Sequence, residues 1–202
     1  MREPGKHCCR TSQRICVGID EVGSGSLIGV ASAAAIWFPR LEIPDGVDDS
    51  KKVSEAKRPA IAEAIRKTAI VAVAHATVAE IDELGILRAT HIAMTRAWTL
   101  LNPPRDALII IDGNHVPRGI KGNAVSMPGA DAQCPTVAAA SIIAKVERDQ
   151  IVHDLAGDDD IYGWKANKGY GTRAHLAAID RYGISIHHRR SFAPIRQMVA
   201  AG

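Results

Sequence analysis

Hydrophobic positions change period along the chain, and the changes mark its elements. Residues 15–20 (ICVGID) and 30–38 (VASAAAIWF) are short apolar runs separated by the glycine-rich segment VGSGSLIG. That pattern predicts two strands joined as a hairpin. Pro39, Pro44, Gly46 and the charged stretch from Asp48 to Lys52 predict an exposed loop. A helix is expected from Ser54 to Thr68, where Ile61 and Ile65 stand four apart; Ser54 suits the cap, and Pro59 favours a later start. Residues 70–78 (IVAVAHATV) alternate as a strand does, placing His75 on a strand face or in the core. From Ile81 through Leu101, the positions Ile81, Leu84, Leu87, Ile92 and Trp98 suit one long amphipathic helix ended by Asn102 and Pro103. The continuous run ALIII at 107–111 suits a strand covered on both faces. Two more helices are expected: Pro135 to Leu155, and Arg173 to Tyr182 with Thr172 at its cap and Gly183 just past its end. Strands first, then strands alternating with helices, predict an α/β fold with a mixed sheet packed by helices.

Composition narrows the class. A chain of 202 residues, 47% hydrophobic, suits one compact unit whose core needs neither disulfides nor a structural metal. With only 4% aromatics, nucleic-acid binding through rows of stacking rings is disfavoured. The formal charge of +3 conceals an asymmetry, because residues 161–202 carry seven Lys/Arg and one acid, Asp180. The first 160 residues hold 18 basic and 21 acidic side chains, so an acidic body carries a basic C-terminal end. Cys8, Cys9, Cys16 and Cys134 show no zinc spacing and read as free thiols of a reducing compartment. The uncharged run from Val22 to Pro39 contains three Gly and three Ser and makes a poor membrane helix. The basic N-terminus shows no secretory pattern, so a cytoplasmic location and no membrane association are expected.

Two apolar strands end in acids: ICVGI runs into Asp20-Glu21, and ALIII into Asp112. A carboxylate is costly to ionise inside an apolar strand, but at its C-terminal edge it can face a cleft and share a cation. Without accompanying His or Cys, such a site favours Mg²⁺ or Mn²⁺. The same pattern also fits acids that merely close strands into turns. Gly23, Gly25 and Gly29 do not match a dinucleotide fingerprint; they suit either a backbone loop approaching a phosphate or sugar, or a plain hairpin turn. Lys165-Ala-Asn-Lys-Gly-Tyr-Gly-Thr172 and His187-His-Arg-Arg-Ser-Phe192 suit contacts to a phosphate backbone, or a solvated charged surface.

In order along the chain, GIDE at 18–21, DSKK at 49–52, ILRAT at 86–90, IDGN at 111–114, VAAASIIAKVERD at 137–149, KGYGT at 168–172 and HRRSFAP at 188–194 resemble the bacterial ribonuclease HII family. The resemblance spans Ile15 to Met198. It implies the ribonuclease H fold, a mixed central sheet flanked by helices with a small helical C-terminal part. It also implies endonucleolytic cleavage of RNA in RNA/DNA hybrids and at ribonucleotides embedded in duplex DNA, leaving 3′-hydroxyl and 5′-phosphate ends. Four acids would hold two divalent cations, Mg²⁺ or Mn²⁺: Asp20, Glu21, Asp112 and Asp131, the last standing ten residues before Ser141 as the family's fourth acid does. The family reads the ribose 2′-hydroxyl with a Gly-Arg-Gly motif and the KGYGT tyrosine, here Tyr170. This chain has Gly23-Ser24-Gly25 instead, with Ser26 and Val30 in place of prolines. Both glycines remain, so backbone readout and cleavage are expected to survive, while the arginine fork is lost and the preference for an isolated ribonucleotide in DNA is expected to be weakened or altered.

By the same resemblance, Ser50, Lys51 and Lys168 are phosphate-side residues. Arg189 and Arg190 touch the duplex, brace the C-terminal part or form an intramolecular ion pair; Lys145 and Arg148 serve packing or charge balance near the acids. The expected organisation is a flexible extension at 1–14, a catalytic core at 15–155 and a basic substrate-binding part at 156–202 packed on it. A monomer is expected, and the C-terminal RQMVAAG lacks a sliding-clamp motif. The alternatives are a duplex-binding homologue whose catalysis has decayed, and a different phosphoryl-transfer enzyme on a related scaffold.

Overall fold

A computed structural model describes residues 15–201 apart from Leu41, so the expected extension at 1–14, with Cys8 and Cys9, lies outside the described residues. Five strands form one mixed sheet: β1 (Cys16–Val22), β2 (Ala31–Trp37), β3 (Ile70–Ala76), β4 (Leu108–Asp112) and β5 (Asn123–Met127). Their spatial order is β3-β2-β1-β4-β5. The predicted hairpin is present, with β1 antiparallel to β2 and β2 antiparallel to β3. On its other side β1 runs parallel to β4, and β4 parallel to β5.

Alternation along the strands separates two cores. Val17, Ile19, Ile109 and Ile111 face α2 (Val78–Leu84) and α3 (Ile86–Leu101), where Ile81, Ala89, Ala93 and Ala97 complete the cluster. On the opposite face, Ala34 and Ile36 pack with α1 (Arg58–Thr68) and α4 (Pro135–Ala156) through Ile65, Ala139, Ile142 and Ile143. Each fully buried isoleucine contributes about 1.5–3 kcal/mol of transfer free energy. The first half of α4 is buried all round, which its Ala-rich sequence permits by letting backbones come close. α5 (Trp164–Asn167), α6 (Arg173–Tyr182) and α7 (Ala193–Ala201) form the helical C-terminal part. They close a third cluster in which Tyr162, Trp164, Ile179 and Ile195 meet Leu27 and Ile28 of the glycine-rich segment. No described helix is long and apolar enough to cross a membrane.

Several expectations shift. The helix expected over Ile81 to Leu101 is two helices, because Gly85 takes φ 79° and ψ 155°, outside the helical region. Thr77 and Glu80 form a reciprocal capping box that starts α2 earlier. The first helix begins at Arg58 with Pro59 in its first turn; its N-cap is Lys57, so Ser54 does not cap it. Asp20 and Glu21 lie within β1, whose ladder continues to Val22, rather than past its end. The loop from Asp48 to Lys52 is not wholly exposed, since Ser50 is buried. β5 carries no strand signal in the sequence, because a short edge strand, NAVSM, has almost no apolar period. Thr172 caps α6 as expected, accepting from the His175 amide. His75 is the expected strand-face residue, its Nδ1 2.8 Å from Ser32 Oγ.

Candidate active site

Strand period and register bring the acids together. Asp20 lies two residues beyond Gly18, and Asp112 two beyond Ile110, so both point to the α4 face of the sheet. The parallel register pairs Ile19 with Ile111, so Asp20, still inside β1, and Asp112, the last residue of β4, come next in line side by side. Asp112 Oδ1 accepts a 2.8 Å bond from the Ala130 amide, which ties the 3-10 turn Ala130–Ala132 to the strand and delivers Asp131. Carboxylate oxygens of Asp20, Asp112 and Asp131 lie within 4.8 Å of one another. Glu21, of opposite parity on β1, is outside that triad but lines the same cleft.

Electrostatics make this a site that a cation would stabilise. Asp20 is 4% exposed and Asp131 6%. Burial first, then the charges of Glu21 and Asp112, push the Asp20 carboxyl well above the ordinary carboxylate range, although the Glu21 amide donates to its Oδ1 at 2.7 Å. Burial and then Asp112 push Glu21 up as well. Lys51 Nζ reaches Asp131 Oδ2 at 3.4 Å, from a side chain that is mostly solvent-exposed. One exposed ammonium offsets little of this repulsion, whereas a hard dication matches an oxygen-only set.

The surrounding cleft, about 290 Å³, is lined by Asp20, Glu21, Gly23, Ser24, Ser50, Lys51, Asp112 and Tyr170, together with Arg58, Ser141 and Lys145. Ser141 Oγ donates to Ser50 Oγ at 2.6 Å, and Arg58 Nε donates to the Ser50 carbonyl at 3.0 Å, so α4 and α1 hold the DSKK turn at the acids. Tyr170 is 37% exposed, with the Arg148 guanidinium 5.6 Å and Lys145 Nζ 5.8 Å from its ring centre. Lys168 sits apart from this cleft. Its ammonium donates to the Lys165 carbonyl at 2.6 Å and pairs with Glu55 at 2.8 Å, in an adjoining hollow that shares Arg58.

Among the described residues Arg189 forms no ion pair, and it is too buried to touch a duplex: it is 0% exposed and its donors end on backbone carbonyls. Arg190 is exposed, and its amide donates to Asp82. Sequence reasoning missed Arg58, which lacks any spacing signal and gains its place only when α1 packs beside α4. A larger hollow of about 840 Å³ between α3 and residues 115–119 contains Arg88, His91 and His115 but no carboxylate.

Comparison with known proteins agrees with this geometry. A family model described as Ribonuclease HII matches residues 17–195. Ribonuclease HII of Cereibacter sphaeroides (strain ATCC 17025) is 48% identical over 183 residues, covering 91% of this chain and 86% of that protein. Ribonuclease HII of Paracoccus denitrificans is 45% identical over 190 residues, covering 94% and 90%. Among solved structures, a chain of the PCNA:RNase HII complex from Archaeoglobus fulgidus superposes with a TM-score of 0.73 at 27% identity, covering 87% of this chain and 93% of that one. Ribonuclease H2 from Pyrococcus horikoshii shares the fold with a TM-score of 0.76 at 24% identity, covering 93% and 98%. A match over nearly the whole chain, with three acids gathered where two parallel strands and the turn at Asp131 meet, makes this protein a member of the ribonuclease HII family: a ribonuclease H-type endonuclease hydrolysing phosphodiester bonds.

Proposed function

We propose that this chain cleaves the RNA strand of RNA/DNA hybrids and cuts duplex DNA at embedded ribonucleotides, leaving 3′-hydroxyl and 5′-phosphate ends. The observation that carries the reading is the convergence of Asp20, Asp112 and Asp131, the first two of which line a cleft that also holds Ser24, Lys51 and Tyr170. Asp20, Glu21, Asp112 and Asp131 are the residues that would hold two divalent cations, Mg²⁺ or Mn²⁺. When bound, such ions activate water and stabilise the leaving oxygen of an in-line displacement.

The chain's own groups do the rest. Lys51 and Arg58 bring positive charge to the phosphate side of the cleft. Tyr170 offers an aromatic face to the sugar, and the Gly23–Gly25 segment, whose Gly23 and Ser24 line the same cleft, would read with its backbone the 2′-hydroxyl, the group that separates RNA from DNA. Lys168 acts at a distance from the acids, by anchoring the KGYGT segment through its bonds to Lys165 and Glu55. We assign the acids, with Ser24, Lys51 and Arg58 beside them, to a core at 15–155, and further substrate contacts, Tyr170 among them, to the basic part at 156–202 packed on it.

Cleavage-site mapping tests the reading. Two duplexes are compared in Mg²⁺ and in Mn²⁺, one with a single ribonucleotide and one without. Cutting on the 5′ side of the ribonucleotide is expected, and cutting of the all-DNA duplex would reject the assignment.

Ser24 predicts a second result on the same substrates. It leaves the backbone donors in place but removes a guanidinium fork able to grip phosphate. Ser24→Arg is therefore expected to raise cleavage at a single ribonucleotide relative to a uniform hybrid by about tenfold, the worth of one charge-assisted hydrogen bond. An unchanged ratio of the two rates would remove Ser24 from the specificity argument.

A further inference from the structure

Two arginines beneath the glycine-rich loop never reach solvent. Arg148, on α4, and Arg189, in the HRRSF segment after α6, are both 0% exposed. A buried cation is costly unless its donors are satisfied and its charge is met by polar atoms. Arg189 meets that demand with carbonyls: Nε donates to Gly29 at 2.9 Å, and Nη2 to Val30 at 3.0 Å. Its Nη1 faces Gly23 at 2.8 Å, Ser26 at 2.7 Å and Ser24 at 3.3 Å. Arg148 joins the same loop to the next one, donating to Ser26 Oγ at 2.5 Å and to the Lys168 carbonyl at 2.6 Å. Burial, and then the neighbouring Arg148 charge, bring the Arg189 guanidinium down to about 9, a measure of how little water it sees.

Peptide geometry turns these contacts into an arrangement of donors. No peptide bond among the described residues is cis, and in a trans peptide the carbonyl and the following N–H point in opposite directions. Drawing the Gly23 and Ser24 carbonyls inward onto Arg189 turns the N–H groups of Ser24 and Gly25 outward. Both residues are exposed, and among the described residues neither N–H donates to another group. Ser24 lines the cleft of the acids. The Tyr170 ring edge, at Cε1, lies 3.8 Å from where a Gly25 Cβ would stand, so the aromatic ring borders the same spot.

We infer that Arg189 is a positioning residue that presents the Ser24 and Gly25 N–H groups as a paired donor for the 2′-hydroxyl oxygen of the ribonucleotide, with Arg148 locking that pair to the Tyr170 segment. The inference rests on the hybrid-cleaving function proposed above and adds to it the part that sets the loop. Lysine cannot replace this arginine: its three donors on a single nitrogen cannot serve a ring of five carbonyls that a planar fork reaches from three nitrogens.

The test uses the full chain in EDTA, where binding is read without hydrolysis, with a labelled RNA/DNA hybrid and an all-DNA duplex of the same sequence. The wild type is expected to prefer the hybrid. Arg189→Lys is expected to shrink that preference by about fivefold or more, the loss of one to two hydrogen bonds, while all-DNA affinity stays within about twofold. Circular dichroism and melting curves establish that the variant is folded. Should Arg189→Lys not fold, Ser26→Ala removes the acceptor that joins Arg148 to the loop and is expected to lower the preference in the same direction. A folded variant that keeps the wild-type preference, or weakens both duplexes equally, overturns the inference and leaves the proposed function standing. A wild type that binds both duplexes alike overturns the proposed function and the inference with it.

Discussion

Asp20→Asn and Asp112→Asn are each expected to reduce cleavage by roughly 10³-fold or more, about 4 kcal/mol of transition-state stabilisation, while leaving the fold intact. Asn preserves the size of the side chain and removes the charge that two of the three clustered carboxylates supply. The same Asp20→Asn substitution has an opposite effect on stability. In the metal-free protein the Asp20 pKa is raised well above its unfolded value of about 4, chiefly by burial and then by Glu21 and Asp112. A raised acid pKa means that the native state binds the proton more tightly than the unfolded chain. The destabilisation is absent below the unfolded pKa, grows as pH rises toward the folded pKa and is complete above it. Asp20→Asn removes it and is expected to raise the melting temperature at pH 7 by about 2–6 °C, a gain that fades as pH falls toward 4. Adding Mg²⁺ or Mn²⁺ is expected to raise the melting temperature of the wild type more than that of the variant, because a ligand bound only by the native state stabilises it by mass action. Calorimetry at several pH values checks the sign. Full activity in either Asn variant, or a lower melting temperature for metal-free Asp20→Asn at pH 7, would contradict this account of the site.

Gly18→Ala is expected to be the most damaging glycine-to-alanine change among the described residues, since it alone drives a Cβ below 3.0 Å from backbone atoms. A Cβ at residue 18 would stand 2.2 Å from the Thr136 carbonyl carbon and 2.4 Å from both the Thr136 oxygen and the Val137 nitrogen. These are backbone atoms in the first turn of a buried helix and cannot rotate aside, so α4 must move off β1. Overpacking costs about 1–3 kcal/mol where side chains yield; here the cost is expected to reach at least ~3 kcal/mol, a fall of about 6–12 °C for a chain of this size. Gly85→Ala supplies the contrast. Nothing lies within 4 Å of its Cβ position, and only its φ of 79° resists substitution, so a loss of about 1 kcal/mol is expected. Thermal melts of the two variants separate crowding from backbone strain. Cleavage is expected to fall in Gly18→Ala as well, since Asp20 follows two residues later and Ser141 of α4 braces the DSKK turn.

The ends of ICVGID and ALIIID show how far sequence reading carries and where it stops. Alternation with a period of two is a local property, so it determines that Asp20 shares a face with Gly18, and Asp112 with Ile110. It cannot tell that β1 and β4 are parallel neighbours in a register that sets the two acids side by side, because strand pairing is long-range. Glu21 illustrates the same limit. As a member of GIDE it stands with Asp20 in the resemblance, whereas the pleat turns it away from the triad and leaves it on the wall of the cleft.

What the sequence determined by itself was the α/β class, the hairpin, the helices beginning at Pro135 and Arg173, and the family, because propensity, period and ordered motifs are written in consecutive residues. What only the tertiary structure decided was the partner of each charge. Arg58, Arg148 and Arg189 look alike as letters in a basic sequence. One borders the cleft, one bridges two loops and one is sealed beneath the glycines. A guanidinium's role depends on which oxygens surround it once water is excluded, and those oxygens come from segments far apart in the chain.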